Sequence, residues 1–245
     1  MSMMSSRTVL AYLSMPITCE ENGSYITGLT EDTVVITLGP ATRSVGKRVV
    51  DVVGSLAGLI LLAPVMLMIA ALIRLDSPGP VLFRQQRMGH GGRRFMFLKF
   101  RTMVSDAEKR LPELEAQNES AGGVLFKIYN DPRITQIGRF LRRSSLDELP
   151  QLFNVLAGQM SLVGPRPLQL RDSDLLESAD PEGFAKRLSV PQGLTGAWQV
   201  GGRSAEGSDA MLNLDLDYAE RWSLALDLAI ICKTVPCVLS GRGAC

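Results

Sequence analysis

The chain has 245 residues, 46% of them hydrophobic and 21% charged, with 26 basic against 25 acidic side chains and a formal net charge of +1. These proportions exclude extended disorder and a globally cationic nucleic-acid binder, and the length suits one large domain or a domain plus a smaller element. The single histidine, His90, leaves little room for a Ser–His–Asp hydrolase. Cys19, Cys232, Cys237 and Cys245 form no CxxC pair and lack histidines at zinc spacing, so they read as scattered, reduced thiols.

Residues 1–46 are weakly patterned, with one strand expected at Thr33–Leu38 before Gly39-Pro40, and read as a loosely attached arm. From Val52 to Ile73 no residue is charged. As a helix that stretch reaches about 33 Å, enough to cross a hydrocarbon core. It lies too far from the N-terminus, and lacks the cleavage pattern, for a signal peptide. Pro64 predicts a bend near Leu61–Pro64. Arg43, Lys47 and Arg48 precede the segment and Arg74, Arg84 and Arg87 follow it, so both flanks favour the cytoplasmic side. A re-entrant hairpin meets that demand and a straight span does not, though charge alone leaves both open. Lys47 and Asp51 must then sit at headgroup level or be paired.

Beyond the turn Ser77–Pro80, two strands are expected around Gly89–Gly92, with His90 a loop residue and no P-loop signature. Ser105–Glu119 reads as a charged, exposed, largely helical stretch. Asp131-Pro132 predicts a helix start, followed by an apolar stripe of Ile134, Ile137 and Leu141 and a basic cluster of Arg139, Arg142 and Arg143. A solvated basic face is the plain reading of that cluster; a phosphate or membrane contact is the other. Ser145 and Glu148 fit a capping box, which puts Asp147 and Glu148 at a helix N-terminus where capping alone would account for them. SLVGPRP presents Arg166 between two prolines, and PQGLTGAWQVGGRS embeds Trp198 and Arg203 among glycines. Tyr218–Leu239 reads as an interfacial amphipathic helix, interrupted by Asp227 and Lys233.

Six strings occur in order: KRVVDVVGS before an apolar run with a central proline, FRQQRMG, FLKFRTM, NDPRITQIGRFLRRSSLDELPQLFNVL, SLVGPRP and GLTGAWQVGGRS. Together, from Lys47 to Leu239, they resemble the bacterial sugar transferase family of monotopic polyprenyl-phosphate phosphoglycosyl transferases. The arm 1–46 lies outside the resemblance; for the rest it implies a mostly helical α/β fold with a re-entrant membrane helix 47–76 and a cytosol-facing catalytic domain 77–245. It implies transfer of a sugar-1-phosphate from a UDP-sugar to undecaprenyl phosphate, with release of UMP, at the cytoplasmic face of the bacterial inner membrane. Relatives often carry serine before the kink proline; here Ala63 stands there, so Ser55 or water would have to satisfy the freed carbonyl.

On this resemblance Asp147 is the nucleophile and Glu148 the ligand of Mg²⁺. A carboxylate is already ionised at neutral pH, and a helix N-terminus would keep Asp147 so. Lys99, Arg101 and Arg142 or Arg143 are expected to steady the diphosphate or the lipid phosphate, and Arg166 the uridine nucleotide. Glucose or galactose is the expected sugar, with an N-acetylated sugar second. The competing reading is a membrane-anchored module that binds anionic lipid or nucleic acid without catalysis. No nucleic-acid partner is expected for the enzyme, and whether it forms a homo-oligomer is open.

Overall fold

The computed structural model describes residues 24–27, 34–110, 114, 128, 131–201 and 208–240. A short hairpin comes first, β1 (Ser24–Thr27) antiparallel to β2 (Val34–Thr37) with Ser24 opposite Thr37. The expected strand is therefore present. The described part of the arm is not loose: Ile36 is 0% exposed and packs with Leu168, Leu176, Phe184, Leu188 and Met211. The run Val34–Leu38 is apolar enough to read as a strand, but its sequence does not say what that strand packs against, so the docking of the arm was not legible. Residues 1–23, with Cys19, lie outside the described residues.

After the single turn α1 (Pro40–Arg43), the apolar run folds into α2 (Val45–Asp76), capped by Ser44, whose side chain accepts from the Lys47 amide. α2 continues through Pro64 for 32 residues, about 48 Å of helix. It is the one described helix long and apolar enough to cross a membrane. Its buried and half-buried positions include Lys47, Asp51, Ser55, Gly58, Leu62, Val65, Ile69 and Ile73, a stripe at helical spacing. That stripe meets the rest of the chain on both sides of Pro64. A side chain on Gly54 or Gly58 would touch Leu162 or Leu152, and Ile69 and Ile73 pack with Phe100 and Leu141. Leu56, Ile60, Leu61, Leu67 and Met68 are left exposed on the other side. Ser55 does not serve Pro64; its hydroxyl donates to Val52 O at 3.2 Å, one turn back along its own helix.

Lys47 and Asp51 are paired, as the sequence requires. Lys47 Nζ donates to Asp227 Oδ2 at 2.7 Å, to Val163 O at 2.9 Å and to the Tyr218 hydroxyl at 3.2 Å. Asp51 Oδ1 accepts from the Ser161 hydroxyl at 2.9 Å and the Leu162 amide at 2.8 Å. Asp227, read as an interruption of an amphipathic helix, is thus the counter-ion of the anchor. The expected helix Tyr218–Leu239 is two, α8 (Ser208–Arg221) and α9 (Leu224–Ser240). The break at Trp222 and Ser223 lets Trp222 Nε1 reach Asp227 Oδ2 at 3.1 Å.

The hairpin predicted around Gly89–Gly92 is β3 (Leu82–Met88) with β4 (Arg94–Phe100), in a register that sets Phe83 opposite Lys99 and Arg87 opposite Phe95. Residues 105–110 form turns, and most of the following insert lies outside the described residues. Asp131-Pro132 does not start a helix. Asp131 is spent on a buried ion pair with Arg133 at 2.6 Å. α3 (Gln136–Arg143) begins later, capped by Thr135, which accepts from the Gly138 amide at 3.0 Å. α4 (Gln151–Leu156) and β5 (Ser161–Val163) follow. Two helices, α5 (Leu170–Ala179) and α6 (Pro181–Leu188), then cross over to β6 (Gly193–Thr195), which runs parallel to β5. α7 (Ala197–Gly201) lies between β6 and α8; Gly202–Ser204, with Arg203, fall outside the described residues.

Candidate active site

The acidic pair is held where three elements converge. Asp147 and Glu148 lie in a 3-10 turn (Leu146–Glu148) between α3 and α4. Ser145, just before it, has φ 55° and ψ 16°, the left-handed region, and its side chain makes no cap bond. The capping box is therefore not formed: the chain reverses at Ser145 and turns Asp147 inward, and α4 starts only at Gln151 behind Pro150. Asn154 on α4 registers that helix against β4, donating to Met96 O at 2.8 Å and accepting from the Leu98 amide at 3.1 Å. Arg48 of α2 caps the far end of α4, bonding Val155 O and Leu156 O at 2.8 Å each.

β3 and β4 contribute two cations from one sheet face. Paired residues of an antiparallel ladder share a side, and alternate residues return to it. Phe83, Gln85, Arg87, Phe95, Phe97 and Lys99 consequently line one face. Lys99 Nζ stands 5.2 Å over the Phe83 ring, and the Arg87 guanidinium 4.9 Å over Phe97. Burial, then the nearby Arg142 guanidinium, brings the Lys99 ammonium down to about 8, with Asp147 opposing. Arg87 is lowered to about 10 by burial and by Arg166, against the pull of Asp172 and Glu148.

α3 brings Arg142. Its Nε donates to Thr102 Oγ1 at 3.0 Å. This approach depends on Gly138, where a Cβ would stand 2.0 Å from Thr102 O, so only glycine lets the backbones meet there. The GPRP turn brings Arg166, whose Nη2 bonds Glu148 Oε1 at 2.5 Å. Asp147 itself is buried. Desolvation first, and Glu148 second, raise its carboxyl to about 6, against Lys99, Arg142 and Arg166. Burial outweighs the cations here, so the carboxyl sits above its ordinary value instead of below it. At pH 7 the side chain is still mostly ionised.

Of the residues singled out in the sequence, the structure brings together Asp147, Glu148, Lys99, Arg142 and Arg166. Arg101 points away: its guanidinium bonds Pro78 O at 2.6 Å and Ser77 O at 2.7 Å, fixing the turn that follows α2. Arg143 is exposed on the outer face of α3. Arg87 joins the cluster, although the sequence offered it only as a flanking charge. The alternation F-x-Q-x-R against F-x-F-x-K, read with the hairpin register, is the signal that would have found it.

Magnesium can be weighed against this donor set. Among the described residues no group of three His, Cys, Asp or Glu side chains comes together. The site offers two adjacent carboxylates beside four cations, too few protein oxygens for a cage. It fits an ion that takes one or two carboxylates and completes its shell with phosphate oxygens and water.

A model of the bacterial sugar transferase family matches residues 42–241. The chain is 42% identical over 201 residues to the galactosyl transferase CpsE of Streptococcus agalactiae, an alignment covering 82% of this chain and 43% of that protein. It is 40% identical over 210 residues to the exopolysaccharide production protein ExoY of Rhizobium meliloti, covering 83% of this chain and 91% of the relative. To the UDP-glucose:undecaprenyl-phosphate glucose-1-phosphate transferase of Caulobacter vibrioides it is 42% identical over 214 residues, 84% of this chain and 75% of that protein. The chain thus spans under half of the streptococcal protein but nearly all of the rhizobial one. Matched over most of its length and at such identities, the chain belongs to the bacterial sugar transferase family.

Proposed function

We propose that this chain is a phosphoglycosyl transferase that moves a hexose-1-phosphate from a UDP-sugar to undecaprenyl phosphate and releases UMP. The observation carrying this reading is a buried, ionisable Asp147 set among Lys99, Arg142 and Arg166. A carboxylate so placed is a nucleophile that needs no general base, and the cations are matched to a substrate that brings two phosphates. The Asp147 carboxylate attacks the β-phosphorus in line; the bond to the bridging oxygen breaks and UMP departs with the electron pair. An acyl-phosphate ester carrying the sugar is left on Asp147. An oxygen of the lipid phosphate then attacks the same phosphorus, forming the diphosphate and restoring the carboxylate.

Lys99 and Arg142 flank Asp147 and neutralise charge as the phosphoryl group is transferred. Arg166 is placed to exchange its bond to Glu148 for a bond to the nucleotide diphosphate, which frees Glu148 to act as the metal ligand. Magnesium, when bound, would supply further neutralisation of the diphosphate.

The anchor supports a monotopic arrangement, and the basic flanks of the apolar run favour the cytoplasmic face. A straight span would hold some 20 residues clear of any soluble domain, whereas α2 has contacts to the rest of the chain both before Pro64, at Gly54 and Gly58, and after it, at Ile69 and Ile73, and turns an apolar face outward. The active site then stays at the bilayer surface, within reach of a lipid-borne phosphate. UMP release from UDP-glucose, UDP-galactose and their N-acetylated counterparts, assayed with and without undecaprenyl phosphate, tests the reading. Transfer of a hexose-phosphate to the lipid is expected. Binding of anionic lipid with no turnover of any UDP-sugar would refute it.

A further inference from the structure

The GPRP turn has an unusual backbone. Pro165 and Pro167 have no amide hydrogen, so the turn cannot be secured through those two donors. Its carbonyls are secured instead, four in a row. Pro165 O accepts from the Gly193 amide at 2.8 Å. Arg166 O accepts from Arg187 Nη2. Pro167 O accepts from Arg87 Nη1 at 2.9 Å, and Leu168 O from the Met88 amide at 3.3 Å. The donors come from β6, α6 and β3, so three separate elements fix the backbone from which the Arg166 side chain extends.

Arg187 is the deepest of these donors. Its side chain is 1% exposed and that of Asp215, on α8, 2%. Nε bonds Asp215 Oδ2 at 2.8 Å, and Nη1 reaches Gln192 Oε1 at 3.5 Å. Gln192 returns Nε2 bonds to Arg187 O at 3.1 Å and Val190 O at 3.0 Å. A buried ion pair is weak grounds for net stability, since hydrophobic replacements of equal volume often do as well. What a guanidinium provides here is direction. Its planar fork spans Asp215 on one edge and the Arg166 carbonyl on another.

We propose that Arg187, oriented by Asp215, is a positioning residue for donor binding: enclosed and unable to touch substrate, it sets the backbone from which Arg166 reaches the diphosphate. This rests on the reading of Arg166 as a nucleotide-binding cation.

The test is a double-mutant cycle on equilibrium binding of UDP to the full chain in detergent or nanodiscs. Arg187→Lys keeps the charge but loses the fork, and should weaken UDP binding about tenfold. Arg166→Ala should weaken it at least as much, and the double variant should be no weaker than Arg166→Ala alone. Asp215→Asn, which leaves the guanidinium in place without its counter-charge, should fall between wild type and Arg187→Lys. Leu188→Ala, the next residue on α6 but facing the core, supplies the stability control: it should lower the melting temperature and leave UDP binding intact. With wild type binding UDP, unchanged binding in Arg187→Lys, losses that add in the double variant, or an equal loss in Leu188→Ala would each overturn the positioning role alone. A wild-type chain that binds no UDP would overturn the reading of Arg166 and this inference with it.

Discussion

Two ion pairs in this molecule use the same chemistry in different surroundings. Lys47–Asp227 is 2.7 Å long with both side chains 3% exposed, and its oxygens also accept from Tyr218 and Trp222. Arg166–Glu148 is 2.5 Å long but 28% and 13% exposed, and it sits beside Asp147, Lys99, Arg142 and Arg87. The first pair brings together the start of the anchor, β5 and the C-terminal helix in a closed network. The second belongs to a cluster in which four cations face two carboxylates. A closed network holds the fold, whereas an open one with excess positive charge is what the proposed anionic substrates would require. Substitutions at the two places should therefore fail in opposite ways.

The largest expected effect falls on Asp147. Asp147→Asn should lower turnover by about four orders of magnitude or more. Stability should move the other way. The folded-state carboxyl is raised to about 6, above its unfolded value, so protonation favours folding below roughly pH 4 and that contribution is lost as pH rises through 6. The Asn variant should be at least as stable as wild type at pH 7, and thermal melts from pH 4 to 8 should show a smaller pH dependence. An Asn variant that melts well below wild type at pH 7 would place Asp147 with the structural residues.

Asp227→Asn is the converse. It leaves the Lys47 ammonium buried without its counter-charge, which costs about 3–5 kcal/mol. A large fall in melting temperature is expected, with kcat per folded molecule near wild type. A selective loss of kcat in a stably folded Asp227→Asn protein would dissolve the distinction between the two pairs.

A finer test uses two neighbours on one helix. Arg142→Gln removes a charge beside Asp147 and should lower kcat/KM about 10- to 100-fold. Arg143→Gln, on the exposed face, should change it by less than about twofold. Equal effects would mean that α3 does not face the dyad with one side. The pH profile gives the smallest and broadest signal: activity should rise through about 6 as Asp147 ionises and fall through about 8 as Lys99 loses its proton. Removing the ammonium with Lys99→Gln should abolish the alkaline limb and move the acidic one to higher pH, because Lys99 holds the Asp147 carboxyl down.

How much of this was legible beforehand depended on the kind of signal each feature carries. The apolar run and the hairpin around Gly89–Gly92 are local patterns, and each is found at its place. The misreadings arise where tertiary partners or backbone conformation override a local pattern. Asp131-Pro132 has the look of a helix cap, yet Arg133 and Ala107 O claim that corner. Asp227 looks like an interruption until Lys47, 180 residues away, is brought beside it. Ser145 satisfies the spacing of a capping box, but spacing cannot reveal a positive φ. Arg101 and Arg87 have similar surroundings in the sequence, and hairpin register with the adjoining turns sends one to the anchor and the other toward the dyad.

Mass spectrometry on enzyme quenched after exposure to UDP-sugar alone tests the central claim most directly. The account predicts a hexose-phosphate mass on the peptide containing Asp147, with one UMP released per adduct and both absent in Asp147→Asn. An adduct on another side chain, or UMP that appears only after undecaprenyl phosphate is added, would contradict it.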